Sequence, residues 1–341
     1  MKRLIFATLA AAALVACATE DTIVTPQRDA IAFDNAFVDG STKAIDPSIT
    51  TDSLKAFKVY GTITGGNGVA VNIFDGVEVS KNLTEGVGTE GWKYATDFTS
   101  YWIPNNSYKF AAVVNGVVAE TDGDVSKMPT KLSYVADGTT DLLYDEDNYG
   151  VYTDGTSPKT VAFTFQHLLS KVKFIVKNKM TSNTAGRLYQ YTVENVKLAG
   201  AFAEGVYTIG EATTPWAGTG RKDFLFGNVS NAAKDTDSTA AKHIGAVGAA
   251  DQATSHYEYL LIPGTFKATI TANIYTWLNG TNISVAENVP YTANVDLDLK
   301  PGYAYNLIIE LDKPGDEIQF KVADVEGWNE THTGYNPGQE L

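Results

Sequence analysis

Tyr291-Thr292-Ala293-Asn294-Val295-Asp296-Leu297-Asp298-Leu299, then Lys300-Pro301-Gly302, then Tyr303-Ala304-Tyr305-Asn306-Leu307-Ile308-Ile309-Glu310-Leu311: in both flanking runs every second residue is bulky or apolar. Period two sends alternate side chains to opposite faces of an extended chain, so each run reads as a half-buried strand. Pro fixes φ and Gly accepts positive φ, which suits the two central positions of a type II turn, and the second run answers the first across it.

The same alternation spreads outward from this stretch. Val161, Phe163 and Phe165 alternate on odd positions and Val172, Phe174 and Val176 on even ones. The phase slips between His167 and Ser170, which predicts a bulge, a bend or a short helical turn there. Phe57, Val59 and Ile63 share a face, and after a turn at Gly65-Gly66-Asn67-Gly68 the pattern continues at Val69, Val71 and Ile73. Tyr108, Phe110, Ala112 and Val114 run into Asn115-Gly116, a type I′ signal that predicts a hairpin with Val117 and Val118. Ile318, Phe320, Val322, Val325 and Trp328 supply a last strand. With 18 Tyr, 15 Phe and no long helical period, the chain reads as all-β, built of antiparallel sandwiches.

The N-terminus reads as an export signal. Lys2 and Arg3 precede an uncharged stretch from Leu4 to Val15, too short to span a bilayer, which ends in Leu14-Val15-Ala16-Cys17. Cys17, the only cysteine, is expected to carry lipid and to anchor the protein to the outer membrane; no disulfide is then available. Residues 1–17 are assigned to this signal and 18–29 to a polar tether broken by Pro26. A change of pattern near Gly150 to Pro158 divides the remainder into domains at 30–156 and 157–341, each long enough for its own core.

The formal net charge of −14 argues against a nucleic-acid partner and against peripheral binding to anionic lipid, and it favours solubility. No catalytic constellation is expected, because nucleophile elbow, phosphate loop and dinucleotide fingerprint are all missing. His167, His243, His256 and His332 lack zinc spacing, and His167 reads as a hydrogen-bonded core or turn histidine. Asp141, Asp145, Glu146 and Asp147 lack the glycine and terminal glutamate of a calcium loop and read as a solvated cluster. No metal or cofactor is therefore expected. Trp92, Trp102, Trp216 and Trp277 are candidate sugar platforms, against the alternative that they fill cores.

Six segments occur in an order that resembles the fimbrillin family, the type V pilin subunits of Gram-negative anaerobes. They are Ile31-Ala32-Phe33 with Thr42-Lys43-Ala44; Tyr101-Trp102-Ile103-Pro104 with Tyr108-Lys109-Phe110; Asp141-Leu142-Leu143-Tyr144; Phe163 to Val176 containing Phe165-Gln166-His167; Pro301-Gly302-Tyr303-Ala304-Tyr305; and Trp328. The resemblance implies two tandem transthyretin-like β-sandwich domains, a lipidated precursor at the cell surface, and cleavage by a trypsin-like protease after a basic residue near the first strand. Loss of that strand opens a groove that a strand from another fimbrial subunit fills, the process of donor-strand exchange. A sandwich missing one strand exposes an apolar slot and unpaired backbone, and both are costly to leave open.

On that resemblance the displaced first strand is Ala30 to Val38, with Ile31, Phe33 and Phe37 as anchors. Lys43 is the expected processing site and Arg28 the alternative: a cut after Lys43 frees lipid and strand together, a cut after Arg28 frees only the lipid. Ile318 to Trp328 is the candidate donor, or a terminal strand that completes its own domain. The rival function is a surface glycan-binding lipoprotein of a nutrient-uptake system.

Overall fold

The computed structural model describes residues 28–38, 48–89, 91–153, 160–179, 189–230, 244, 252–278, 283–311 and 319–327. Its strands in chain order begin with β1 Ala32–Val38, β2 Ala56–Thr64, β3 Ala70–Ser80, β4 Val87–Thr89, β5 Trp92–Tyr94 and β6 Ser107–Val114. There follow β7 Val117–Thr121, β8 Pro129–Val135, β9 Leu143–Val151, β10 Thr160–His167, β11 Ser170–Asn178 and β12 Tyr189–Ala201. Next come β13 Glu204–Thr208, β14 Trp216–Thr219, β15 Lys222–Gly227, β16 Val229–Ser230, β17 Gln252–Ser255 and β18 Tyr259–Leu261. The last are β19 Gly264–Leu278, β20 Ser284–Leu299, β21 Tyr303–Leu311 and β22 Gln319–Gly327. The one helical element among the described residues is a 3₁₀ turn, Thr96–Phe98. The fold is all-β, as the alternation requires.

One sheet has eight strands in the order β1-β10-β9-β6-β2-β3-β5-β4 and curls until β1 at one end meets β4 and β5 at the other. It wraps an aromatic core of Phe33, Phe57, Phe74, Trp92, Tyr94, Trp102, Tyr108, Phe110, Phe163 and Phe165. A second, larger and mostly aliphatic core is enclosed by the sheets β16-β17-β11-β21-β22, β15-β12-β19-β20 and β14-β13-β8-β7. Strand β6 belongs to both: Phe110, Ala112 and Val114 face the first core, Ala111 and Val113 the second. The division expected between residues 156 and 157 falls between β9 and β10, which are neighbours in the first sheet; residues on both sides of it line the second core, Met128, Leu132 and Tyr134 before it and Leu168 and Leu169 after it.

Two turns join sheets, where the sequence suggests hairpins. At Asn115-Gly116 no hairpin forms: β6 pairs with β2 and β9, whereas β7 pairs with β8 in another sheet. Asn115 takes a φ of +59°, as its turn chemistry demands, and its Nδ2 donates to the Asp141 carbonyl at 2.9 Å, so the turn is a corner between sheets. Lys300-Pro301-Gly302 behaves alike. Gly302 has φ +73°, but β20 pairs with β19 and β21 pairs with β11 and β22. The phase slip at His167 to Ser170 is a third such corner, between β10 and β11. By contrast the turn at Gly65 to Gly68 does close a hairpin, β2 with β3, through a Gly68 N–H to Gly65 carbonyl bond of 2.9 Å. Along β3 the apolar face moves from the predicted Val71, which is exposed, to buried Phe74, Val77 and Val79, because irregular register at Gly61 and Tyr60 shifts the pleat.

Candidate assembly site at the first strand

Strand β1 is an end strand of its sheet, and it runs parallel to β10, from Ala32 opposite Thr160 to Val38 opposite Phe165. Its entry is tied down by backbone bonds from Ile31 N–H to the Ser100 carbonyl (2.8 Å) and from Trp102 N–H to the Asp29 carbonyl (3.0 Å). The Tyr94 hydroxyl donates to the Ile31 carbonyl at 2.6 Å, and the Val38 N–H donates to Thr51 Oγ1 at 3.0 Å. Burial pushes the Tyr94 hydroxyl up to about 12, so it stays a donor throughout the physiological range.

Phe33 is fully buried at the centre of the aromatic core. Its ring meets Phe74 of β3, Tyr94 of β5 and Phe110 of β6 edge-on, at centroid distances of 5.3, 5.7 and 6.1 Å, and stacks on Phe163 of β10 at 6.1 Å. Ile31 is fully buried as well. Phe37 departs from expectation: it is 52% exposed, while Ala36 and Val38 point inward. A register shift between Asp34 and Phe37 is the cause, because one extra residue inverts the pleat. The inward set is therefore Ile31, Phe33, Ala36 and Val38. Burying it is worth about 5–8 kcal/mol at the usual gain per apolar side chain.

The sheet next to β1 is held partly by side chains. Backbone pairing of β10 with β9 is confined to Gln166 opposite Tyr144 and His167 opposite Leu143. Beyond that point the Thr164 N–H donates to Asp145 Oδ2 at 2.7 Å and the Tyr149 hydroxyl donates to the Thr160 carbonyl at 3.3 Å. Burial raises the Asp145 carboxyl to about 6, with Asp147 and Glu146 adding repulsion and the Thr164 and Glu146 amides opposing it.

At the boundary of the two cores, His167 Nδ1 lies 2.8 Å from Asp141 Oδ2, both side chains being buried. The same carboxylate oxygen accepts the Ile49 N–H at 2.8 Å. His167 is thus a hydrogen-bonded core histidine, and Asp141 is a structural anchor and not part of a solvated cluster. Glu146 turns to Lys109 and the Tyr144 hydroxyl, and Asp145 to Thr164, so these carboxylates diverge. Among the described residues no three His, Cys, Asp or Glu converge as metal ligands. Of the proposed sugar platforms Trp92, Trp102 and Trp216 are buried, and half-buried Trp277 donates from Nε1 to Thr192 Oγ1 at 3.1 Å. Three of the four fill cores.

Of the processing candidates, Arg28 lies exposed just ahead of β1. Cys17 and Lys43 lie outside the described residues, as do Ile318 and Trp328. Phe320, Val322 and Val325 lie on β22, the outermost strand of its sheet, which pairs antiparallel with β21 from Tyr303 opposite Gly327 to Glu310 opposite Gln319. The inward turn of Ala36 and Val38 was not legible in the sequence, since nothing in Asp34-Asn35 marks a bulge.

The profile of a family described as fimbrillin-like matches residues 42–328. Among solved structures, a fimbrial protein from Bacteroides vulgatus is 16% identical, with 88% of this chain and 99% of that one covered and a TM-score of 0.59. A candidate cell adhesion protein from Bacteroides ovatus is 15% identical over 88% and 98% of the two chains, with a TM-score of 0.49. At 16% identity the likeness to the first is one of fold. No curated protein matches the chain.

Proposed function

This chain belongs to the fimbrillin-like family, and from that membership we propose that it is a structural subunit of a cell-surface fimbria, exported as a lipoprotein and assembled by donor-strand exchange. Phe33 carries the proposal: a fully buried ring, on an end strand of the sheet, contacts strands from across the first sheet. Removing β1 takes away the filling of one core and leaves the other sheets paired among themselves. The slot left behind is apolar, has an open backbone edge along β10, and accepts an extended strand for the reasons that hold any strand at a sheet edge.

In this scheme Cys17 carries the lipid that holds the precursor at the outer membrane, and a trypsin-like protease cuts after Lys43, between β1 and the segment pinned at Ile49. A cut after Arg28 would release the lipid and keep the strand, which suits a subunit that does not accept a donor. The partners are other fimbrial subunits, and the work is mechanical and not catalytic.

N-terminal sequencing of the chain in sheared surface filaments tests the scheme. A start at Ala44 is expected; filaments containing uncut chain, or a start at Asp29 in shaft subunits, would overturn the strand-removal step. Cys17→Ala should abolish incorporation of radiolabelled fatty acid, and continued labelling would overturn the anchor.

A further inference from the structure

Far from the first strand, a cleft of about 620 Å³ opens between β14 with the loop before it and the junction where β19 begins and β20 ends. That volume is in the range of small-molecule sites. Its buried lining residues, Trp216, Pro263, Leu299 and Tyr303, give it a base of rings and hydrocarbon. Its charged groups stand together on one wall. There Thr265 Oγ1 donates to Asp298 Oδ1 at 2.9 Å, and Lys300 Nζ donates to Oδ1 at 3.1 Å and to Oδ2 at 2.9 Å. Partial burial pushes the Asp298 carboxyl up, but the bonds from Lys300 and Thr265 outweigh it and hold the group below the usual carboxylate range, so it is ionised at neutral pH. Both sides of the cleft are fastened to the corner between β10 and β11. Trp216 Nε1 donates to the Leu168 carbonyl at 2.8 Å, the Gly302 N–H to the Leu169 carbonyl at 2.9 Å, and Ser170 Oγ to the Lys300 carbonyl at 2.7 Å. The half-buried Phe202 ring is wedged between Gly218 and Gly264, where a Cβ on either glycine would crowd it, and the Arg221 guanidinium lies 4.6 Å from its centroid. A cleft braced in this way needs little ordering when a ligand enters.

We propose that this cleft binds a neutral saccharide, with a sugar ring laying its C–H face on the apolar base and presenting two neighbouring hydroxyls to Asp298 and Lys300. The inference goes beyond the structural role proposed above and does not depend on removal of the first strand. The wall selects the ligand. A carboxylate only accepts hydrogen bonds and an ammonium only donates them, and after bonding to each other both keep further capacity. One hydroxyl can therefore give its proton to Asp298 while the next accepts one from Lys300, and hydroxyls on adjacent carbons are as close together as these two groups are. Bonds to charged partners are the stronger kind, so a diol gains more here than on a neutral wall. The two charges cancel locally, so the wall offers no net attraction to an anion or a cation. The base completes the selection, because a pyranose is polar at its rim and carries C–H groups on its faces, which pack on rings and hydrocarbon.

The test passes the labelled mature chain over an immobilised panel of mono- to tetrasaccharides, with hexoses, deoxyhexoses and N-acetylhexosamines as neutral members and uronic and sialic acids as acidic ones. Retained saccharides are then titrated by calorimetry. At least one neutral saccharide should bind. Asp298→Asn and Lys300→Met should each weaken its binding about tenfold or more, the loss expected for a charge-assisted hydrogen bond. Ala217→Trp, at an exposed position of β14 that lines the cleft, should abolish binding by filling the space with an indole. Asp296→Asn, whose carboxylate pairs with Lys267 at 3.0 Å two residues away along β20, should change binding by less than about threefold. Asp298, Ala217 and Asp296 are all exposed, so thermal midpoints should match that of the unaltered chain and separate a lost site from a lost fold. Retention of acidic saccharides alone, retention of no saccharide, or undiminished binding by Ala217→Trp would each overturn the inference. None of these results would touch the fimbrial role, which is read from the N-terminus of the chain in filaments.

Discussion

The two cores are built from different materials. The first is a cage of Phe, Tyr and Trp rings in edge-on contact, closed by a terminal strand; the second is a broad layer of Leu, Ile and Val between sheets that are paired through their interiors. Rings are stiff and each buries a large area, so the stability of the first core is concentrated in few residues and its walls are braced by one another. The aliphatic core spreads its stability over many small contacts. Strand β1 supplies the first core with Phe33 at its centre. Its counterpart, β22, lies at the rim of a sheet and is bonded along one side to β21. The difference is that one end strand fills a core of rings and the other borders a sheet.

Phe33→Ala gives the largest expected effect, about 3–5 kcal/mol of lost stability in urea denaturation. Phe37→Ala, four residues on but exposed, should stay within about 0.5 kcal/mol; equal losses at the two sites would break the comparison. Asp141→Ala should cost about 2–3 kcal/mol, because the Ile49 N–H and His167 Nδ1 lose their buried acceptor. Since that carboxylate sits where the cores meet, the loss should also speed hydrogen exchange at Ile49, and unchanged exchange there would refute the pin. Gly302→Ala should cost about 1–2 kcal/mol, since alanine resists the φ of +73° at the corner between β20 and β21.

The smallest effect concerns pH. The Asp145 carboxyl is raised to about 6 in the folded protein, above its ordinary unfolded value, so the protonated form is favoured by folding. Its contribution is fully present below the unfolded value, near pH 4, and is lost as pH rises through about 6. Ionised Asp145 is thus a cost at neutral pH, about 1 kcal/mol once partial solvent screening is allowed for. Thermal midpoints should rise on acidification from pH 7 to 5 relative to Asp145→Asn, and parallel curves for the two proteins would exclude a role for this group.

The all-β class, the positions of β2, β3, β6, β7, β10, β11, β20 and β21 and the special backbone at Asn115 and Gly302 were legible along the chain, because alternation and turn chemistry are local properties of neighbouring residues. The inward places of Ile31 and Phe33 were implied by the resemblance to the fimbrillin family, which also placed Phe37 inside. Which strands pair was not. Asn115-Gly116 and Pro301-Gly302 have the residues of hairpin turns and serve as corners, since the choice between a hairpin and a crossing to another sheet depends on partners far away in the chain.

Nor could the sequence show which of Ala36 and Phe37 is inside. A single-residue bulge opposite β10 settles that, and bulk alone favours the wrong one. Sequence alone determined what each segment is, because conformational preference acts within a few residues. The tertiary structure decided where each segment belongs, because burial and register are settled between strands brought together from distant parts of the chain.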